Sequence, residues 1–162
     1  MKGIFLAVFI GINVLIGFSS IVSYATAKPS KTVCIEEYET IWKKYNKDIL
    51  DDIVVSYSLS LENFKELTMN DLSNKMRKGE KNEDIRSLLL LFEGNSLGDK
   101  RLFLKDKDNY GLFLYKQTDG KNVLKKLEQD SASGKWIVSN TKEIEGKIIK
   151  WEKFDWSRCE EN

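Results

Sequence analysis

Histidine is absent from the 162 residues of the chain, and proline occurs once. Without an imidazole, the Ser-His-Asp and Cys-His arrangements of hydrolases and the usual histidine ligands of catalytic zinc are excluded. Only two cysteines are present, and the distance in sequence between Cys34 and Cys159 rules out a Cys-x-x-Cys redox motif. We therefore expect a protein that is not an enzyme and that needs no metal and no cofactor.

Charged residues are nearly missing from the first 27 residues, where Lys2 is the only one and residues 3–22 are almost wholly apolar. The small-residue pattern Ala25-Thr26-Ala27 follows, which is typical of a signal peptidase site. We predict a signal peptide over residues 1–27 and a mature domain over residues 28–162 that is periplasmic or secreted. The alternative is an uncleaved N-terminal anchor, because about 20 apolar residues are enough to span a bilayer.

Neither sign of charge is in excess. The chain has 26 basic and 25 acidic residues, and removal of Lys2 with the leader makes the mature domain neutral. A balanced surface has no field that attracts nucleic acid or anionic lipid, so we expect no nucleic-acid partner and no membrane contact after cleavage. There is also no Asn-x-Ser/Thr glycosylation sequon, which favours a protein of the bacterial envelope.

In an exported protein, two cysteines predict a disulfide. Cys34 and Cys159 lie near the two ends of the mature chain, so this bond would join the termini of a single domain. Two separate free thiols are the alternative.

The N-terminal part of the mature chain has a helical pattern. From Ile35 to Ile53, apolar residues recur at steps of three and four, which predicts a helix that ends near Leu50 with Thr32 as its N-cap. Within residues 53–60, apolar residues alternate with serine from Val55 onwards, which favours a short extended segment over continuation of the helix.

Two further segments precede the glycine-rich residues 94–98. A helix is predicted over residues 61–78, in one or two pieces, with a capping box that begins at Thr68 and a stop at Gly79. Within residues 85–92, the run Leu88 to Phe92 is apolar on every side, so the pattern predicts a buried segment but leaves open whether it is a strand or a helix.

From about Lys100 to Trp151, short apolar runs are separated by polar turns, which predicts an antiparallel meander. The dipeptide Asp119-Gly120 indicates a two-residue type I′ hairpin. Another turn is expected at residues 140–142. The last strand is predicted over residues 143–153, with a bulge where Ile148 and Ile149 interrupt the alternation.

These elements predict an α+β fold of two layers, in which the N-terminal helix or helices pack on a curved antiparallel β-meander. The order of helix and meander, and the run Gly134-Lys135-Trp136-Ile137-Val138, resemble the NTF2-like (cystatin-like) fold group. The resemblance implies a long helix lying against a cone-shaped sheet, whereas residues 143–156 extend beyond that pattern. Because the group includes enzymes, carriers and binding modules, it implies no particular function or site.

Three groups of polar residues are candidates for a metal-binding or catalytic site. The run from Asp106 to Gly111 resembles the start of a calcium loop, but Gln117 stands where a bidentate glutamate is needed, so a hairpin turn is the better interpretation. The motif from Ser139 to Lys142 matches Ser-x-x-Lys without its partner motifs. Adjacent carboxylates such as Asp51-Asp52 or Glu160-Glu161 are more simply a solvated surface.

The aromatic residues Trp151, Phe154 and Trp156, which precede Cys159, are the candidate partner-binding site. The alternative is that Trp151 and Phe154 cover the open end of the sheet beside the disulfide. We expect a non-enzymatic module that binds another envelope protein, as an inhibitor or immunity factor. The alternative function is a small-ligand carrier or sensor with an apolar pocket between helix and sheet, and a hydrolase that uses carboxylates alone is a third hypothesis.

Overall fold

The computed structural model describes residues 28–78, 83–105 and 108–159, so the predicted leader and Gly79 lie outside the described residues. This part of the chain has three α-helices and five β-strands. The elements are α1 (Lys31–Ser56), β1 (Lys65–Leu67), α2 (Met69–Arg77), α3 (Glu83–Leu90), β2 (Leu97–Lys105), β3 (Tyr110–Lys116), β4 (Asn122–Gln129), β5 (Trp136–Ile144) and a short 3-10 turn, η1 (Trp156–Arg158).

The five strands form one antiparallel sheet in the order β1-β2-β3-β4-β5, so each strand pairs with its neighbour in sequence. Leu102 lies opposite Phe113, and Leu114 lies opposite Leu124. The predicted α+β class, with an N-terminal helix that precedes an antiparallel meander, is confirmed. The predicted hairpin around residues 106–109 falls partly on residues that are not described, whereas the turn of Asp130 to Gly134 is present between β4 and β5.

The helices cover both faces of this sheet. Phe103, Leu112 and Leu114 pack with α1, whereas Leu102, Phe113 and Leu127 pack with α2 and α3. Neighbouring residues of a strand point to opposite faces, so α2 and α3 form a further layer behind the sheet. Helices therefore cover both faces of the sheet instead of the single face expected from the sequence. The unbroken apolar run of β3, typical of a strand that is covered on both sides, already indicates helices on both faces.

α1 begins and ends at different residues from those predicted. Its N-cap is Ser30, whose hydroxyl accepts from the backbone N–H of Val33 at 3.5 Å, instead of Thr32. The helix continues to Ser56, so the extended segment predicted from Ile53 is wrong over its first four residues. Ile53 is buried against the sheet, and this tertiary contact outweighs the low helix propensity of β-branched residues and serine.

The region that follows contains one strand and two short helices. The predicted helix is wrong over residues 61–67, because residues 61–64 are not helical and β1 (Lys65–Leu67) pairs with β2. The capping box is confirmed: the Thr68 hydroxyl accepts from the backbone N–H of Asp71 at 3.1 Å, and the Asp71 carboxylate accepts from the backbone N–H of Thr68 at 2.9 Å. The segment 85–92, for which the sequence leaves strand and helix open, is mostly helical, since α3 covers Glu83–Leu90. Ile85 and Leu88 of this helix are buried against the sheet.

The β3–β4 hairpin lies where Asp119-Gly120 predicts it, but its turn type is different. Gly120 has φ of +96°, whereas Asp119 is not among the residues with positive φ. A type I′ turn needs positive φ at both central residues. The backbone N–H of Gly120 donates to the carbonyl of Gln117 at 2.9 Å, and that of Gln117 donates to Lys121 at 2.8 Å, which gives a three-residue loop.

The predictions for the last strand are wrong. β5 runs without a turn through residues 140–142 and ends at Ile144, and its bulge lies at Ser139, where the register shifts between the pairs Lys126–Asn140 and Leu127–Val138. Residues 145–159, which we call the C-terminal segment, have no regular structure before η1. The pair Ile148 and Ile149 belongs to this segment, where Ile149 packs on the core and Ile148 is 88% exposed.

Candidate functional site

The two halves of α1 pack against different parts of the molecule. Tyr45, Ile49 and Ile53 in the second half are buried against the sheet. The first half packs instead on the C-terminal segment, in a separate cluster that includes no residue of the sheet. This cluster consists of Cys34, Tyr38, Ile41, Phe154 and Cys159. The first half of α1 and the end of the chain therefore form a small unit with a core of its own.

A disulfide holds this unit together. Cys34 and Cys159 are bonded with a Cα–Cα distance of 6.3 Å, across 125 residues of sequence, which confirms the predicted bond. Both half-cystines are buried. Lys28 adds a polar contact at the same place, since its ammonium donates to the carbonyl of Ser157 at 3.2 Å.

Tyr38 brings the predicted aromatic residues together. Its ring centroid lies 6.0 Å from that of Trp151, 5.9 Å from that of Phe154 and 5.3 Å from that of Trp156. Trp151 also makes edge-to-face contacts with Trp42 and Tyr45, at 5.3 and 5.1 Å. Offset and edge-to-face ring pairs of this kind stabilise a cluster beyond the apolar area that they bury.

The three predicted residues differ in exposure. Trp156 is 48% exposed and Trp151 is 36% exposed, whereas Phe154 is 6% exposed. Phe154 packs on the disulfide and is therefore part of the scaffold. The alternative, that it covers the open end of the sheet beside the disulfide, holds only in part, because Phe154 covers the disulfide and not the end of the sheet. We define the aromatic face as Tyr38, Trp42, Trp151 and Trp156.

Polar contacts fix the backbone beneath Trp156. The Asp155 carboxylate accepts from the backbone N–H and the hydroxyl of Ser157, at 3.0 and 2.7 Å, and these hydrogen bonds lower the pKa of Asp155. The Arg158 guanidinium lies 4.8 Å from the centre of the Phe154 ring and pairs with the Glu37 carboxylate at 2.5 Å. The aromatic face therefore stands on an ordered turn that is anchored to α1.

A second feature, the buried polar cluster of Asp52, Lys116 and Asn122, lies at the other end of α1. One oxygen of Asp52, Oδ2, accepts from Lys116 Nζ at 2.8 Å, from Asn122 Nδ2 at 2.8 Å and from the backbone N–H of Lys147 at 3.0 Å. Lys116 also donates to the carbonyls of Gly120 and Lys147, at 3.0 and 3.2 Å. All three protons of the ammonium thus have acceptors.

Burial and hydrogen bonding act in opposite directions on Asp52. Burial is the largest influence and raises its pKa, but the hydrogen bonds from Lys116, Asn122 and Lys147 together hold the pKa below its ordinary value. The resting state of the pair is therefore an ion pair, with side chains that are 0% exposed for Lys116 and 4% for Asp52. Such a pair is stable in the interior only when its members are fully hydrogen-bonded.

The buried polar cluster is not predicted from the sequence, and the expectation that Asp51 and Asp52 both belong to a solvated surface is wrong for Asp52. Asp51 does pair with Lys47 on the surface, at 2.5 Å, but Asp52 lies inside. The helical periodicity does indicate that Asp52 is buried, because Asp52 lies three residues after Ile49 on the same face of α1 as Tyr45 and Ile49.

A surface pocket of about 400 Å³ lies between β1, the start of α2 and the start of β2. The ion pair of Arg101 and Glu66 forms one wall, and Met69 and Phe92 contribute apolar surface. Asp99 is exposed at its mouth, where partial desolvation raises its pKa. The pocket is lined by charged side chains of both signs.

The other predicted candidates are dispersed. Ser139 to Lys142 lie in the exposed edge strand β5 instead of opening a helix, as acylating enzymes require. Asp106 and Glu160-Glu161 lie outside the described residues. Within residues 28–78, 83–105 and 108–159, no group of three or more His, Cys, Asp or Glu side chains is placed to hold a metal ion.

Comparison with known proteins gives no match to a family model, to a curated protein or to a solved structure. The resemblance to the NTF2-like fold group therefore stays a prediction. No helix in the described part of the chain has the length and the apolar character needed to cross a bilayer.

Proposed function

We propose that the protein is an exported, non-enzymatic module that binds another protein of the bacterial envelope, as an inhibitor or immunity factor, through its aromatic face. The observation that carries this proposal is the exposure of Trp156 and Trp151 on a scaffold fixed by the Cys34–Cys159 disulfide. Binding energy at protein interfaces is concentrated in a few residues, among which tryptophan and tyrosine are enriched.

Rigidity supports the same interpretation. An interface side chain loses conformational entropy when it is immobilised, and a side chain that is already held by its neighbours loses less. Trp151 contacts three rings of α1, and Trp156 stands on the ordered turn beside Tyr38. The aromatic face is therefore ordered before a partner arrives, which favours a rigid-body interface.

Export is supported by the disulfide, which is compatible with an oxidising compartment. The carrier alternative needs an apolar cavity between α1 and the sheet, and the side chains of Tyr45, Ile49, Phe103, Leu114 and Leu124 occupy that interface. This packing favours the binding module over the carrier.

The test is affinity capture from the native envelope with the oxidised domain of residues 28–162 and two matched variants. We expect one stoichiometric partner for the wild type. Trp156→Ala should weaken its binding by at least tenfold, because truncation of a central aromatic residue commonly costs about 2 kcal/mol or more. Ile148→Ala removes an equally apolar side chain that is 88% exposed and lies away from the aromatic face, and should bind as the wild type does. Equal binding by all three proteins would contradict the proposal.

A further inference from the structure

The buried polar cluster places an amine and a carboxamide on one carboxylate oxygen. Lys116 Nζ and Asn122 Nδ2 each lie 2.8 Å from Asp52 Oδ2. Lys116 and Asn122 are also direct partners across the β3–β4 ladder, so their side chains leave the sheet on the same face. The nucleophile, the acyl group and an acid–base group for an amide exchange are thus held together in the folded chain.

Asn122 is only partly satisfied in this site. Asn122 is 0% exposed. Its two side-chain N–H groups donate to Asp52 Oδ2 and to the Ser56 hydroxyl, the latter at 3.1 Å. Its carbonyl oxygen, Oδ1, is buried without a hydrogen-bond partner. A buried acceptor without a partner destabilises the fold, and a stable fold that retains one calls for an explanation.

Gly146 closes the site from the C-terminal segment. A Cβ atom at this position would lie 2.7 Å from Asn122 Oδ1 and closer still to Lys116 Nζ, which is nearer than real side chains approach. The backbone of Gly146 therefore lies directly against both reacting groups. This contact keeps the amine and the amide next to each other and away from bulk water.

We propose that Lys116 and Asn122 become joined by an intramolecular isopeptide bond, with Asp52 as the proton-transfer group. The ammonium of Lys116 first gives a proton to Asp52 Oδ2, along the 2.8 Å hydrogen bond. Rotation about the last bonds of the lysine side chain then turns the free electron pair of Nζ to Cγ of Asn122. The new Nζ–Cγ bond forms, the Cγ–Nδ2 bond breaks, and ammonia leaves.

Protons and charge balance in this step. Of the three protons of the ammonium, one stays on the new amide nitrogen, one leaves with the amide nitrogen of Asn122 as ammonia, and one remains on Asp52. The site begins with one positive and one negative charge and ends with an amide and a neutral carboxylic acid. No oxidant, reductant or further reactant is needed.

The environment favours this exchange in two ways. Fixed proximity of the reacting groups replaces a bimolecular encounter. A carboxyl group within hydrogen-bond reach of both nitrogens can serve as base and then as acid.

Mass spectrometry of the purified wild-type protein tests the proposal directly. The disulfide-bonded chain should be lighter by one ammonia than its sequence requires. After denaturation, reduction and trypsin digestion, Lys116 should resist cleavage, and residues 108–121 should remain linked to residues 122–125 although Lys121 is cut. Cleavage at Lys125 and Lys126 serves as the internal control for digestion.

The Asp52→Asn variant keeps the shape of the side chain and removes the proton-transfer group, so it should retain the full mass and normal cleavage at Lys116. A wild-type protein that keeps the full mass after prolonged incubation in the folded state, with Lys116 cleaved as readily as Lys125, would overturn the proposal. Because the decisive result comes from the wild type, a variant that fails to fold leaves the test intact.

Discussion

Asp52 joins three parts of the chain at a single oxygen atom. Its Oδ2 accepts from Lys116 at the end of β3, from Asn122 at the start of β4 and from the backbone of Lys147 in the C-terminal segment. The carboxylate itself belongs to α1. Removal of this one group leaves the Lys116 ammonium buried without its counter-charge, which is far more costly than loss of a surface pair.

We therefore predict that Asp52→Ala, compared with wild-type protein in which Lys116 and Asn122 are not yet joined, lowers the free energy of unfolding by about 3–5 kcal/mol, the range for breaking a buried ion pair. Urea unfolding at neutral pH measures the change. Asp51→Ala is the matched control, because it removes a neighbouring carboxylate from an exposed pair with Lys47, and we expect no measurable change because solvent screens such a pair. Similar small losses in both variants would show that the buried polar cluster contributes little.

At the scale of secondary-structure elements, α2 is short and depends on its N-terminus. It has nine residues, and only Leu72 among them is buried. A helix of this length is marginal without help from its ends. The capping box of Thr68 and Asp71 satisfies backbone donors that the first turn would otherwise leave free.

Thr68→Ala should lower the free energy of unfolding by about 1 kcal/mol, as is usual for loss of an N-cap. Ser73→Ala in the same helix is the control. The Ser73 hydroxyl donates to the carbonyl of Met69 within the helix, and alanine is the better residue at such a position, so stability should stay equal or rise. A loss in the control as large as that in Thr68→Ala would argue against the capping role.

The same box makes a prediction about pH. Hydrogen bonds from the hydroxyl and backbone N–H of Thr68 lower the pKa of Asp71. Because the folded pKa lies below the unfolded one, the contribution of Asp71 to stability is present above about pH 4 and is lost as pH falls through the folded pKa. In Thr68→Ala the pKa of Asp71 should rise, which NMR titration of the side chain can follow. An unchanged pKa would contradict the assignment of its cause.

Comparison of individual elements shows what the sequence could predict. The stripe of α1, the capping box at Thr68 and the position of the β3–β4 hairpin depend on neighbours within a few residues, and these predictions are confirmed. The end of α1 and the course of residues 140–153 were mispredicted. Both depend on contacts distant in sequence, such as Lys147 with Asp52.

The candidate site likewise has features that the sequence predicts and features that depend on contacts distant in sequence. Cys34 and Cys159 could be paired by sequence because only two cysteines exist. That Trp151 and Trp156 are exposed while Phe154 is buried depends on where Tyr38 and the disulfide lie in space. Local pattern carries no information on this point. Lys116 was missed for a related reason: its partner lies 64 residues away.

At the scale of the whole molecule, the C-terminal segment runs back along α1 in the opposite direction. Lys147 contacts Asp52, Trp151 contacts Tyr45, and Cys159 bonds to Cys34. The segment therefore covers α1 from its last turns to its first. The core cluster at the first half of α1 includes no residue of the sheet. The unit formed by this half of α1 and the end of the chain therefore depends on the disulfide and the aromatic contacts for its order.

We predict that the double variant Cys34→Ser, Cys159→Ser loses stability, by up to about 4–5 kcal/mol from the loop-closure entropy of so long a loop. The loss of order should be local. Amide hydrogen exchange should accelerate in residues 31–42 and 151–159, while residues 45–56 and the strands stay protected. Uniform acceleration throughout α1 would show that its two halves are not separable. The same variant should also weaken partner binding.

Photo-crosslinking in the native envelope tests the role of the aromatic face most directly. A benzophenone amino acid is placed at Lys153, an exposed residue beside Trp156, or at Val55, which is 69% exposed near the other end of α1. We predict that irradiation joins the protein to one envelope protein from position 153 and not from position 55. Crosslinks from position 55 alone, or none from position 153, would contradict a partner-binding role for the aromatic face.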